Sequence, residues 1–409
     1  MKKLVLAALS AFALCACHHP EVEFVDFDTF HVTSVKSADV FMSDGSLNPE
    51  IRVMENSEPE DYDNVPTKLA YANANSIVRD LLGVINSNRL IHIAGTYTGH
   101  DVDGSPITLS GKLLLPESGP VKNLMIVSHY TIGANYEAPS ETFPMEGIWA
   151  AKGYAVVIAD YIGFGVTAKR IHPYMHVEST ARSVVDMALA VKPYLEHIGR
   201  KPESEEVILA GYSQGGATTL AVMDMLQDDY ADVFPIKKVY AGGGPYDLAA
   251  TYDISMEWDQ TGIPCAIPMI VQGINEGEHL GLEMSDFFLP DLLAHYDHWI
   301  NSKSYTVKEI NTLMNATALH EIMTEGGRDK HNRETARLYQ ALLGNGVLHF
   351  SPHAPIYLFH STQDRTVPFV NALKAELWFK NRDVQYDFGE YGKHGTGCVR
   401  FLINVYKDL

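Results

Sequence analysis

The chain has 409 residues, with 31 Lys plus Arg against 51 Asp plus Glu and a formal net charge of −20. At 46% hydrophobic and 20% charged residues it is not a disordered tail, a collagen-like fibre or a polytopic membrane protein. The acid excess argues against a nucleic-acid partner, which needs clustered Lys and Arg. The length suits one large α/β domain with an insertion, or two average domains.

Residues 1–17 (MKKLVLAALSAFALCAC) read as an export address. Lys2 and Lys3 precede an apolar run over 4–14 that is too short to span a bilayer comfortably. Its end, Leu14-Cys15-Ala16-Cys17, resembles a bacterial lipobox, with Cys17 as the lipidated new N-terminus and Cys15 the poorer candidate. Simple secretion with cleavage near Ala16 is the alternative. Lipidation would add more than one acyl chain, enough for stable anchoring. The expected location is therefore a membrane, at its periplasmic face or the cell surface, held through the Cys17 anchor. The remaining thiols, Cys265 and Cys398, either pair in an oxidising compartment or stay as isolated buried groups. No CxxC, zinc-type Cys/His spacing or His-Glu-x-x-His occurs, so neither a metal nor a cofactor is expected. The Asp101-Val-Asp-Gly104 stretch lacks the downstream ligands of a calcium loop and reads as a hairpin turn.

Residues 18–66 are acidic, turn-rich and aperiodic, and are expected to form a tether and irregular N-terminal segment. Over 67–84, Leu69, Ala72, Ile77, Leu81 and Val84 keep helical spacing, with Pro66 just ahead. Runs at 89–98 and 107–115, split by an Asp-Gly turn, read as an antiparallel pair. Short apolar runs follow at 124–128, 154–158, 206–210, 238–241, 356–359 and 384–388. Lack of alternation marks them as strands buried on both faces of a parallel sheet. Helical patterns at 178–198 and 217–226 supply βαβ crossovers. The fold class is thus α/β, a mostly parallel central sheet flanked by helices. One stretch breaks the rhythm. Residues 249–349 are far longer than a crossover needs and look helical over 282–299, 307–323 and 333–343. Rich in Met and aromatics (Met284, Phe287, Phe288, Tyr296, Trp299), they read as a helical cap inserted before the strand that ends near residue 359. An unrelated second domain is the alternative; on the cap reading the core is 67–248 with 350–409.

Chemistry is expected at strand ends. The strand from Val207 runs into Gly211-Tyr-Ser213-Gln-Gly215 and then a helix of small and apolar residues, the context a nucleophile elbow requires. Side chains at Gly211 or Gly215 would collide with the neighbouring strand or helix, while the turn strains Ser213 and pushes it out at a helix N-terminus. A serine needs a base, and behind such an elbow the acid and the histidine come later in the chain. Asp364 lies just past a buried strand, where it can orient an imidazole; a helix N-cap is its alternative role. His394 sits in Tyr391-Gly-Lys-His394-Gly-Thr-Gly397, a Gly-rich loop. The other downstream histidines (His295, His298, His320, His331, His349, His353, His360) fall in cap helices, a loop or a strand. For the oxyanion hole, the donors expected are the backbone N–H of Gln214 and that of Thr131, in Ser128-His-Tyr-Thr131-Ile-Gly133. His129 and Tyr130 are expected to support that loop.

Together these residues resemble the α/β-hydrolase superfamily, and within it the secretory-lipase-like esterases. Further stretches of that kind are Asp160-Tyr-Ile-Gly-Phe-Gly165, His172-Pro-Tyr174, Ala241-Gly-Gly-Gly-Pro-Tyr-Asp-Leu248 and Asp364 with Val367-Pro368. The resemblance covers roughly residue 115 to the C-terminus. Many members have His-Gly where this chain has His129-Tyr130, which leaves the second oxyanion donor open. The resemblance implies a cofactor-free serine hydrolase acting on a small-molecule or lipid ester through an acyl-enzyme. Serine peptidases with a helical cap are the nearest alternative, and Glu276, Glu278 or Glu283 could then hold a substrate amine. A surface lipoprotein that binds without turnover is a third reading, and acyl transfer to an acceptor other than water a fourth.

Overall fold

The computed structural model describes residues 27–39 and 89–409. Their strands are β1 His31–Asp39, β2 Arg89–His100, β3 Pro106–Pro116, β4 Leu124–Ser128 and β5 Ala155–Ala159, then β6 Val207–Tyr212, β7 Ile236–Gly242, β8 Ile356–Ser361 and β9 Val384–Gly389. They form one sheet in the order β1-β2-β3-β5-β4-β6-β7-β8-β9. β1, β2, β3 and β5 meet as antiparallel neighbours; from β5 through β4 to β9 every pairing is parallel. The carboxyl ends of the parallel strands therefore open at one edge, where ligand sites gather in sheets of this kind.

Helices α1 Val177–His197 and α2 Gln214–Asp229 follow β5 and β6. Between β7 and β8 lie α3 Leu248–Trp258, α4 Ala266–Gly277, α5 Pro290–Tyr296, α6 Val307–Met314, α7 Glu325–Arg328 and α8 Arg333–Gly344; α9 Val370–Trp378 and α10 His394–Asp408 close the chain. Every residue of β4, β5, β6 and β8 is buried, as the uninterrupted apolar runs require. Alternate residues serve opposite faces. Ile126, Leu209, Val239 and Leu358 pack with α1 and α2, whereas Val127, Ile208, Tyr240 and Phe359 pack with Phe401 and Leu402 of α10.

Two expectations need correction. Within 18–66, residues 31–39 are not irregular but form edge strand β1, paired to β2 with a register shift between Val32 and Ser34. Residues 33–36 are exposed, so ladder bonds hold this strand and apolar burial leaves no alternating signature. Its anchor is Phe30, fully buried with its ring 5.2 Å from Tyr194 of α1. The ring fits because position 95 is glycine, where a Cβ would lie 2.4 Å from it. In the insertion, the stretch 282–299 is broken at Pro290, which takes the first turn of α5. The stretch 307–323 stops at Asn315, which adopts φ 47° beyond α6. The helix expected over 67–84, the rest of the 18–66 segment outside 27–39, and Cys17 lie outside the described residues.

The hairpin at 101–105 closes through Gly104 N–H to Asp101 C=O and Asp101 N–H to Ser105 C=O. Cys265 and Cys398 are both buried and form no disulfide with each other. No helix among the described residues is long and apolar enough to cross a membrane.

Candidate active site

The turn after β6 holds Ser213 at φ 60° and ψ −125°, a conformation that costs a non-glycine residue about 1–3 kcal/mol. Neighbouring backbone enforces it. The Ser213 N–H donates to Gly242 C=O at 2.9 Å, and its own C=O accepts from Gly216 and Ala217 at 2.9 and 3.2 Å. A Cβ on Gly215 would lie 2.0 Å from the Ser128 carbonyl oxygen, and one on Gly211 2.3 Å from that of Gly215. The glycines thus let β4, β6 and α2 close on one another while the serine stays at the sheet edge.

Three expected side chains meet there. Ser213 Oγ lies 2.8 Å from His394 Nε2, and His394 Nδ1 lies 2.6 Å from Asp364 Oδ2. An ionised carboxylate only accepts, so Nδ1 carries a proton and the Nε2 lone pair faces the serine hydroxyl. The other Asp364 oxygen accepts from the amides of Thr366 and Val367 at 2.8 and 2.9 Å. Burial alone would raise this carboxyl, but the His394 and His360 rings and the Val367 amide outweigh it, leaving its pKa below the ordinary range. Asp364 is not the cap of α9, which starts at Val370. His394 is the first residue of α10 rather than part of a loop. Its backbone carbonyl accepts from the Tyr212 hydroxyl at 2.9 Å, tying it to the residue before the serine.

Of the other downstream histidines, His360 comes near. It is fully buried, donates from Nε2 to Val367 C=O at 3.0 Å and lies 3.8 Å from Asp364 Oδ2; burial lowers its pKa and keeps it neutral. His295 stacks on Trp299, His320 bonds Asp259 and His349 bonds Asp224, all in other parts of the molecule.

Gln214 opens α2, where the first N–H groups of a helix have no intrahelical acceptor. β4 runs parallel to β6 with Ser128 opposite Gly211, so the loop carrying Thr131 leaves the sheet beside the elbow. The Tyr130 N–H is engaged by Glu146 Oε1 at 3.0 Å. Glu146 is itself buried, which pushes its carboxyl up to about 7. The His129 ring stacks on Tyr161 at 3.9 Å and bonds the Tyr130 carbonyl from Nδ1 at 2.6 Å. Two contacts had no sequence signal beyond a family-like string. Tyr174 OH lies 2.6 Å from Thr131 Oγ1, and Gln214 Nε2 lies 3.2 Å from His172 Nε2. His172 and Tyr174 also border a small cleft under the helical insertion, with Phe164, Met269, Ile300 and Lys303 among its walls. None of Glu276, Glu278 and Glu283 borders that cleft, and Glu278 accepts a bond from Asn345 Nδ2 at 2.6 Å.

A mostly parallel sheet with the serine on the turn after β6, the carboxylate after β8 and the histidine after β9 defines an α/β-hydrolase. The secretory lipase family model matches residues 141–396, well over half of the chain, and the chain belongs to that family. It is a carboxylic-ester hydrolase of the lipase and esterase kind. Among solved structures it is similar to a hydrolase from Legionella pneumophila (TM-score 0.72, 22% identity, 82% of this chain and 94% of that one). The rice cell wall degrading esterase LipA from Xanthomonas oryzae gives TM-score 0.71 at 24% identity, covering 81% of this chain and 94% of that one. Candida antarctica lipase A is more distant, with TM-score 0.55, 15% identity, and coverage of 77% of this chain and 75% of that one. At these identities the likeness is one of fold. No curated protein sequence matches.

Proposed function

We propose that Ser213, His394 and Asp364 are the catalytic triad of this ester hydrolase and that the reaction passes through an acyl-enzyme. The observation that carries the reading is the unbroken line from Ser213 Oγ to His394 Nε2 at 2.8 Å and from His394 Nδ1 to Asp364 Oδ2 at 2.6 Å. Ser213 Oγ attacks the ester carbonyl as His394 takes the hydroxyl proton. The carbonyl oxygen becomes an oxyanion facing the N–H groups of Gln214 and Thr131. Collapse breaks the bond to the alcohol, which leaves with the proton from His394. Water, deprotonated by the same ring, then attacks the acyl-serine and releases the acid. Asp364 keeps the imidazole in one tautomer throughout. The substrate class is a small-molecule or lipid ester, in keeping with the secretory lipase family to which the chain belongs.

The purified protein and Ser213→Ala, given p-nitrophenyl esters from acetate to palmitate and a proline p-nitroanilide, test this reading. Ester turnover should fall about 10⁴-fold or more in the variant. A variant that keeps its turnover overturns the assignment, and anilide cleavage without ester cleavage points to a peptidase.

We also read the protein as exported and held at a membrane by lipid on Cys17. The Leu14-Cys15-Ala16-Cys17 sequence supports this. Metabolic labelling with a radioactive fatty acid should mark the wild type and not Cys17→Ala; label retained by the variant would remove the anchor from this position.

A further inference from the structure

We infer that His172 and Tyr174 form a brace that sets the position of Thr131 relative to Gln214, and so the geometry of the oxyanion hole. The inference rests on the reading of Ser213 as nucleophile. The two proposed donors stand on separate elements, the loop after β4 and the first turn of α2. An oxyanion hole works only when its donors are held to within a few tenths of an ångström. The segment between Gly163 and Met175 reaches both.

Each contact has a determined polarity or partner. His172 Nδ1 lies 2.6 Å from Ile162 C=O, and a carbonyl only accepts, so this nitrogen carries the proton. Burial holds the ring neutral, its pKa pushed down to about 3. Its Nε2 is then a bare acceptor, and the Gln214 atom 3.2 Å away must be the NH₂ group. The buried Gln214 side chain therefore has one orientation. On the other arm, Tyr174 OH and Thr131 Oγ1 are 2.6 Å apart, and burial raises the phenol, so it stays protonated.

The brace is itself stiff. A Cβ on Gly163 would sit 2.6 Å from the His172 Cα, and one on Gly273 of α4 would sit 2.2 Å from the Tyr174 nitrogen. Met175 is held at φ 64°. The helical insertion thus presses directly on the residue that bonds the Thr131 loop. Packing alone would be served as well by phenylalanine in place of Tyr174. Instead the Tyr174 hydroxyl bonds Thr131, and His172, whose Nδ1–H fixes its own ring on the Ile162 carbonyl, turns Nε2 to Gln214, which marks both as positioning residues.

Tyr174→Phe removes one oxygen and keeps the ring, so it is the arm least exposed to misfolding. Its kcat on p-nitrophenyl butyrate should fall about tenfold with KM within twofold. That is less than the 10²–10³ lost with a whole donor. Inhibition by a phenylboronic acid, which forms a tetrahedral adduct on the serine, should weaken by the same factor while Tm holds. Thr131→Val, which keeps the backbone N–H, should show a similar loss, and the double variant should lose no more than either alone. His172→Phe gives the second arm, with the same split between kcat and KM. An unchanged kcat in Tyr174→Phe, or losses that multiply in the double variant, overturns the brace. Ester turnover by Ser213→Ala would instead overturn the nucleophile assignment on which it rests.

Discussion

Asp364 does two jobs with its two oxygens. One holds the His394 ring, and the other accepts the Thr366 and Val367 amides that shape the turn after β8. Asp364→Asn separates them. Its carbonyl oxygen can still accept the two amides, leaving NH₂ facing His394 Nδ1. The ring must then move its proton to Nε2, where it no longer accepts from Ser213. We expect kcat to drop about 10⁴-fold with a native circular dichroism spectrum; a drop under tenfold would show the tautomer to be fixed elsewhere. Glycine offers a second test at this scale. Gly215→Ala drives a Cβ to 2.0 Å from the Ser128 oxygen, whereas Gly199, at φ 67°, has nothing within 4 Å. Gly199→Ala should cost about 1 kcal/mol for its backbone alone. Gly215→Ala should cost about 3 kcal/mol or more and take activity with it, measured by urea denaturation of both. Equal midpoints would mean the elbow has slack that the geometry does not suggest.

Among the elements, β4 to β9 were legible because strands covered on both faces leave unbroken apolar runs, and α1 and α2 because their buried faces keep helical spacing. The helical insertion was legible in place and class but not in detail. A long helical pattern does not record that Pro290 must start a new helix or that Asn315 will turn left-handed. β1 was not legible at all. Its stability comes from backbone pairing and from residues just before the strand, chiefly Phe30 with Phe27 stacked on His197, and neither produces an alternating pattern. That makes Phe30 its weak point. Phe30→Ala removes a ring buried against Tyr194 and over Gly95, and should cost about 3–5 kcal/mol in chemical denaturation. Hydrogen exchange should show β1 amides losing protection first, with the β4–β9 strands unaffected. Uniform loss across the sheet would mean that β1 is integral to the core rather than added to its edge.

For the whole molecule, the candidate site was legible as residue types in chain order, because the elbow and the proposed acid and histidine each carry a local signature. What surrounds them was not, since burial is a tertiary property. That hidden layer governs how stability depends on pH. Desolvation holds His92, His129 and His172 at pKa values of about 3, 4 and 3, and lowers His176 and His360 as well. The unfolded chain takes up protons at these rings near pH 6.5 while the folded one does not. Stability from them is present above 6.5 and falls as the pH drops, by up to about 1.4 kcal/mol per pH unit for each ring. Glu146 works the other way. Its folded pKa of about 7 lies above the unfolded value of 4.5, so the folded state binds the extra proton between the two. Its contribution is complete below 4.5 and lost as pH rises through 7, at most about 3 kcal/mol in total. The histidines outnumber it, so Tm should peak near neutrality and fall steeply below pH 6. Glu146→Gln keeps an acceptor for the Tyr130 N–H without a charge to bury. It should raise Tm at pH 8, with the gain shrinking to nothing near pH 5. Thermal scans of both proteins across this range decide the matter. Parallel curves would mean that Glu146 is solvated when ionised, and that the loop carrying Thr131 does not rest on a buried carboxyl.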